Sequence, residues 1–490
     1  MTPSAAVEGG IDADEARVRT IVRQVLAQIG EAPAAPVPRS GAAATSVAGA
    51  DGVHPDIDSA VRAAATAFRQ LGALSLERRK EMIAAMRGAA RQAASELAAL
   101  AVSETGLGRV EHKVLKNSLA ADKTPGVEDI EPTAWSGDRG LTLMERAPYG
   151  VLGAITPVTN PACTIICNSI GMIAAGNSVV FNCHPNAKRV SVAAVQLLHR
   201  AIVSAGGPPN VICTVPEPTI QSAQALMKHP GVRLLVVTGG PGVVAEAMRS
   251  GKRAVCAGPG NPPVVVDETA DIEQAARDIV VGASFDNNII CVLEKEIIAV
   301  ESVADALKAA MLRQGCVELG QWQMKQLERV IFATTPKPGC GGDVNKAYVG
   351  KTPAFILKQI GLTVEDSVKL AIAEVGRDHP LVWSEQLMPV IPMVRVRNAD
   401  EAIDLAVAAE QGNFHTAVMH SRHLDNLSRM ARECNCSIFV KNGPSLAGLG
   451  FGGEGYTSYS IASPTGEGVT RARSFTRDRR CTLVDSFRIV

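Results

Sequence analysis

At 490 residues the chain is too long for one ordinary core, so two large domains are expected. Lys+Arg and Asp+Glu both number 49, and this zero net charge excludes the field that would draw nucleic acid or an anionic membrane surface. Hydrophobic residues make up 46% and aromatics only 3%, which suits closely packed α/β layers. The 11 cysteines follow no disulfide framework and read as reduced, cytoplasmic thiols. No Cys or His spacing matches a metal site, so no metal is expected. No apolar run approaches the ~20 residues that span a bilayer.

Residues 11–30 place Ile11, Val18, Ile21, Val22, Val25, Leu26 and Ile29 on one helical stripe. Residues 31–52 are rich in Pro, Ala, Gly and Ser and cannot pack a core. An amphipathic helix on such a linker wants a partner, or else folds back on its own body. From about Asp51 the pattern is helical, and residues 135–146 read as an extended, hairpin-like arm. Strand and helix then alternate from 150 to 251, predicting a parallel sheet with helices on both faces. Ligands bind such sheets at the carboxyl ends of the strands. Those ends fall at Thr156–Pro161, Asn182–Pro185, Val215–Thr219 and Thr238–Gly242. The run Thr238-Gly239-Gly240-Pro241-Gly242 ends a strand and opens a helix, where backbone amides can receive a pyrophosphate. A literal GxGxxG at Gly448, Gly450 and Gly453 lacks a following helix and is rejected as a dinucleotide fingerprint.

The most telling stretch is SFDNNIICVLEKEIIAV, residues 284–300. Cys291 follows a polar turn of Asp286, Asn287 and Asn288 and precedes a strand-like segment. A thiol so placed can be presented to a cleft, and its thiolate is a strong nucleophile. A buried, inert cysteine is the plain alternative. The segment resembles the cysteine-nucleophile motif of the aldehyde dehydrogenase superfamily, and its FDNN…C…EK form is similar to the CoA-acylating branch. Seven further blocks stand in that family's order. They are ITPVTNPA (155–162), VVFNCHPNAK (179–188), VVTGG (236–240), AGPGNPP (257–263), EQLMPV (385–390), GNFHTAVMHS (412–421) and SPTGEG…FTRDRRC (463–481). With the N-terminal helix and linker, the likeness is greatest to the microcompartment enzymes acting on propionaldehyde, with those acting on acetaldehyde nearly as close.

This resemblance implies an α/β fold of two domains, a Rossmann-like cofactor domain and a catalytic thiol domain, plus an oligomerisation arm. The expected divisions are an encapsulation helix (1–30), a linker (31–52), an NAD- and CoA-binding domain (53–265, with the arm 135–146), a catalytic domain (266–450) and a C-terminal segment with an oligomerisation strand (451–490). The implied activity is NAD-dependent oxidation of a short-chain aldehyde, propionaldehyde first, to acyl-CoA. Cys291 would form a thiohemiacetal and then a thioester. The backbone amide of Cys291 and the side chain of Asn160 would receive the alkoxide, with Thr159 as the rival. His415 is a candidate base or CoA contact, or a structural histidine. Glu385 would hold the nicotinamide ribose. Thr156, Pro157, Thr159, Asn182, His184, Pro185, Thr238, Gly239, Gly240 and Gly258 complete the cofactor set. Hydrolytic relatives carry a glutamate before a Gly-Gly pair, and here Cys256 takes its place, which leaves time for CoA. The resemblance also implies shell proteins of a bacterial microcompartment as partners, and a homo-oligomer, dimer or tetramer. The five arginines between Arg471 and Arg480 fit a subunit interface.

Overall fold

The structure, a computed structural model, describes residues 51–334 and 336–488. The expected helix 11–30, and the linker up to residue 50, lie outside the described residues. The first described helix, Ile57–Gly72, is capped by Asp56, whose side chain accepts from the Ser59 N–H. Its buried stripe of Ile57, Ala60, Val61, Ala64, Ala67 and Leu71 faces the first sheet. Helices Leu76–Gln92, Ala94–Thr105 and Val110–Lys123 follow.

Five parallel strands make the first sheet, in the order Ile212–Thr214, Ser178–Asn182, Val151–Ile155, Val232–Thr238 and Ala254–Ala257. Ile155 stands opposite Asn182 on one side and Val237 on the other. That register brings the loops after these strands to one edge. The helix Pro161–Ala174 is buried along its whole length, in keeping with its mostly apolar composition, and its Thr164, Asn168 and Ser169 are buried with it. Proline at its first position suits a helix start, where no N–H partner is needed.

The chain leaves the first sheet at Ala257 and enters the second at Pro263. The second sheet has seven strands, all parallel: Cys316–Glu318, Leu370–Glu374, Val390–Val396, Glu296–Val300, Pro263–Val266, Thr416–His420 and Ile438–Lys441. One apolar core runs through both halves and joins Leu152, Ile166 and Val179 to Ile279, Ile297 and Val418. The expected arm is a three-stranded antiparallel sheet, Thr133–Gly137, Gly140–Pro148 and Thr476–Val484. Trp135, Leu483 and Val484 are exposed on it. The glycines at 448, 450 and 453 lie in a short 3-10 turn and the irregular segment after it, with no helix following. Among the described residues no helix is long and apolar enough to cross a membrane, and no cluster of His, Cys, Asp or Glu could hold a metal.

Candidate active site

The helix Ile272–Ser284 delivers the chain to Phe285, after which Asp286, Asn287 and Asn288 adopt φ of 47°, 53° and 65°. Three successive side-chain-bearing residues in the left-handed region cost about 1–3 kcal/mol each unless their surroundings hold them. Asn and Asp enter this region most readily. All three are buried, and each side chain is clamped. Asp286 accepts from the Arg109 N–H at 2.7 Å, from Lys113 Nζ at 3.1 Å and from Lys116 Nζ. Asn287 donates to Gly350 O and accepts from Arg109 Nε. Asn288 donates to Ala283 O and Glu294 O and accepts from Lys295 Nζ at 2.7 Å.

Burial favours the protonated form of Asp286, but the two lysine ammoniums outweigh it and hold the carboxyl below its usual range. Burial and the neighbouring Lys116 charge push Lys113 down to about 8. The same lysines reach the loop before helix Pro161–Ala174. Lys116 Nζ donates to Asn160 Oδ1 at 2.7 Å, and Lys113 Nζ to Thr159 O at 3.2 Å. Asn160 Nδ2 in turn donates to Thr159 Oγ1 at 3.1 Å. One amide hydrogen of Asn160 and the hydroxyl hydrogen of Thr159 remain as donors. Asn160 is buried and Thr159 half-buried.

Cys291 is half-buried three residues past the turn. Burial pushes its thiol up to about 12, the Glu385 carboxylate adds to this, and the Lys295 charge opposes it. The N–H groups of Cys291 and Val292 also favour the thiolate. Gly260 lies against the Cys291 backbone. A Cβ at this position would stand 2.8 Å from Cys291 O and 2.8 Å from His415 Cγ. The Gly260 N–H donates to Glu385 Oε1 at 3.1 Å. Burial pushes Glu385 up to about 7, opposed by Lys295. Gly260 therefore draws the cysteine, the carboxylate and the imidazole to one point.

His415 is fully buried. Its Nδ1 pairs with Thr416 Oγ1 at 2.9 Å, its backbone N–H donates to Glu410 Oε1, and its Nε2 has no partner. Burial and the Lys295 charge hold the ring down to about 3, so it is neutral at physiological pH. Cys256 packs with Val180, Val237 and Ala247 in the core on one face of the first sheet. Burial pushes its thiol up to about 11.

The residues expected at the cofactor gather at the carboxyl edge of the first sheet. Thr156 and Pro157 follow strand Val151–Ile155, and Gly258 follows Ala254–Ala257. The helix Pro161–Ala174 and the half-buried Thr159 flank this edge. Thr238 ends its strand, Gly239 and Gly240 follow, and helix Pro241–Arg249 begins at once. Open space surrounds the Cα of Gly240 and of Gly242, so a ligand can approach that helix N-terminus. His184 is half-buried and Pro185 exposed at the end of the next strand. Asn182 differs: it is buried, accepts from Ser222 Oγ and donates to Thr219 O, which spends its side chain on the start of helix Ile220–Lys228.

Four residues of this site are absent from the sequence reading. Lys113 and Lys116 sit on a helix more than 160 residues away from Asp286, with nothing local to mark them as buried. Gly260 could be suspected only from its place between two prolines and an asparagine. Lys295 carries the one legible signal, a lysine entering an apolar strand four positions after the cysteine.

Two parallel sheets sharing a core, with a thiol, a carboxylate and an imidazole gathered where they meet, define a two-domain α/β enzyme. The chain belongs to the aldehyde dehydrogenase family, whose sequence profile matches residues 35–317. It is 53% identical over 440 residues to the acetylating acetaldehyde dehydrogenase EutE of Salmonella typhimurium, covering 90% of this chain and 94% of that one. It is 44% identical over 476 residues to the CoA-propanoylating propanal dehydrogenase of the same organism, covering 97% and 98%. Among solved structures, the propionaldehyde dehydrogenase of Rhodopseudomonas palustris with bound CoA and an acylated cysteine matches with a TM-score of 0.86 and 48% identity, covering 89% of this chain and 99% of that one. The propionaldehyde dehydrogenase of a fucose-utilisation microcompartment of Clostridium phytofermentans matches with a TM-score of 0.87 and 46% identity, covering 90% and 100%.

Proposed function

We propose that the protein converts a short-chain aldehyde, propionaldehyde or acetaldehyde, to its acyl-CoA with reduction of NAD. The observation that carries this reading is the half-buried Cys291, packed against Gly260 beside Glu385 and His415. Cys291 gives up its proton to solvent, its Sγ attacks the carbonyl carbon, and the π pair moves to oxygen as alkoxide. The Cys291 N–H and either the Asn160 amide or the Thr159 hydroxyl receive that charge. NAD supplies the hydride acceptor, and the product on the enzyme is a thioester. The CoA thiol then forms its own bond to the acyl carbon as the bond to Cys291 breaks, and the electron pair returns to Sγ.

The open N-terminus after Thr238 and the half-buried Glu385 fit the pyrophosphate and the nicotinamide ribose. Thr156, Pro157, His184, Pro185 and Gly258 line the same edge. Asn182 contributes by shaping the loop. The neutral His415, with Nε2 free, fits a hydrogen-bond acceptor that orients the CoA thiol, whose proton passes to the released Cys291 sulfur. The stretch 254–263 carries no carboxylate, which favours CoA over water as the acyl acceptor.

Its similarity to microcompartment enzymes, together with the amphipathic pattern of residues 11–30, supports shell proteins as partners and a cytoplasmic microcompartment as location. The apolar residues exposed on the arm support self-association, as a dimer or tetramer.

NADH formation with and without CoA, with mass analysis of products, tests the reaction. CoA-dependent NADH with an acyl-CoA product is expected, and CoA-independent release of free acid would overturn the reading. Relative kcat/KM for propionaldehyde and acetaldehyde sets the substrate, since one methylene is worth only about 1–3 kcal/mol. Cys291→Ala should abolish both turnover and acyl-enzyme while preserving the circular dichroism spectrum. Deleting residues 1–30 should preserve turnover but abolish co-purification with shell proteins.

A further inference from the structure

Lys295 is fully buried, yet no carboxylate lies within ion-pairing distance of it among the described residues. Its three hydrogens go to neutral acceptors: Asn288 Oδ1 at 2.7 Å, Ile290 O at 3.1 Å and Asn288 O at 3.4 Å. Its backbone is tied as well. The Lys295 N–H donates to Pro262 O at 3.0 Å, and Gln386 Nε2 donates to Lys295 O at 2.9 Å. The residue thus fastens the crossover between the sheets, the turn before Cys291 and the segment bearing Glu385.

A neutral donor would satisfy those carbonyls without the desolvation cost of a buried ammonium. The charge therefore needs a reason of its own. The ionisable groups that face Lys295 are Glu385, Cys291, Glu294, Glu296 and His415. Glu294 is occupied by the Ser445 N–H and hydroxyl, and Glu296 is bonded by Asn261, with burial pushing its carboxyl well above the ordinary range. Glu385 accepts from the Gly260 N–H and is the strongest opposite charge acting on Lys295. Cys291 comes next, and it is the group whose negative charge must appear and disappear in each turnover.

We infer that Lys295 is a positioning residue that acts through space to stabilise the Cys291 thiolate, both as attacking nucleophile and as leaving group when CoA takes the acyl chain. All three ammonium hydrogens are engaged elsewhere, so the effect is one of field and of loop geometry, without a direct bond to sulfur. The inference rests on Cys291 being the nucleophile, which Cys291→Ala tests separately.

The experiment is the pH dependence of iodoacetamide alkylation at Cys291, read by peptide mass in Lys295→Met, Lys295→Gln and Lys295→Arg. An opposite charge nearby moves a thiol midpoint by about one to three pH units. Burial holds Lys295 down to about 8, so at pH 7, where it is still an ammonium, Met and Gln should slow alkylation about tenfold or more. Arg should stay close to wild type. A folded Lys295→Gln with the wild-type profile would mean that hydrogen bonding is the whole role and overturns the inference. If none of the variants folds, the alkylation profile of the unsubstituted chain decides it. Burial holds the Lys295 ammonium down to about 8, so the rise of the alkylation rate with pH should slacken above that value as the charge is lost. A rate that climbs about tenfold per pH unit straight through that range would overturn the inference equally.

Discussion

Replacing Gly260 by alanine tests whether close backbone approach sets the geometry of the site. The new Cβ would lie 2.8 Å from Cys291 O, 2.8 Å from His415 Cγ and 3.1 Å from His415 Cδ2, against ordinary contact from 3.4 Å. One of these neighbours must retreat by roughly half an ångström, and overpacking of this kind costs about 1–3 kcal/mol. The imidazole is pinned by Thr416 and the Cys291 carbonyl belongs to the thiol's own residue, so either movement disturbs the reacting groups. Since about 1 Å of misplacement at a reaction centre can cost ~100-fold, a fall in kcat of about tenfold or more is expected. The Gly260 N–H also holds Glu385, so KM for NAD should rise. Steady-state NADH formation, paired with a urea unfolding curve, measures both effects. A folded Gly260→Ala with kcat within about twofold of wild type would refute the reasoning.

Other substitutions probe the electrostatics. Glu385→Gln removes a negative charge that raises the Cys291 thiol, so alkylation at pH 8 should quicken while NADH formation falls; slower alkylation would contradict the assigned sign. Asp286→Asn leaves two buried ammoniums without their counter-charge and should cost about 3–5 kcal/mol in urea unfolding. Loss below about 1 kcal/mol would mean that the lysines find other partners. Burial pushes Glu294 up to about 7 in the folded chain, above its ordinary 4.5, so the folded state binds the extra proton between those values. Its contribution to stability is full below about 4.5 and is lost as pH rises through 7. Glu294→Gln should flatten that part of the stability-pH curve, and an unchanged slope would show that Glu294 does not titrate there.

The sequence carried the architecture further than the site. Short apolar runs alternating with helical ones predicted the first sheet, and their carboxyl ends predicted where ligand-facing loops gather. Cys291 could be picked out because a single cysteine between polar and apolar runs stands apart from its neighbours. The polar triplet before it reads from sequence only as a polar turn. It is instead buried and left-handed, because lysines from a helix 170 or more residues earlier neutralise it. Lys113 and Lys116 are three apart on that helix, a spacing equally common on a solvated face. Asn182 ends its strand as expected, but a capping hydroxyl on helix Ile220–Lys228, 40 residues on, consumes its side chain, and that pairing depends on the tertiary fold. Contacts of this kind have no local pattern, so one sequence cannot display them.

The arm has a consequence for how the chain is made. Strand Gly140–Pro148 finds one neighbour within a few residues, but its other neighbour, Thr476–Val484, is synthesised far later. Thr142 and Thr482, whose hydroxyls meet across that pairing, are 340 positions apart. At about 5–20 residues per second, the ribosome leaves that edge open for roughly 20–70 s on every nascent molecule. An open edge carrying Leu141, Leu143 and Met144 is a template for the wrong strand. Glu145 and Arg146, charged and next in line, keep that waiting edge from zipping onto a neighbouring nascent chain.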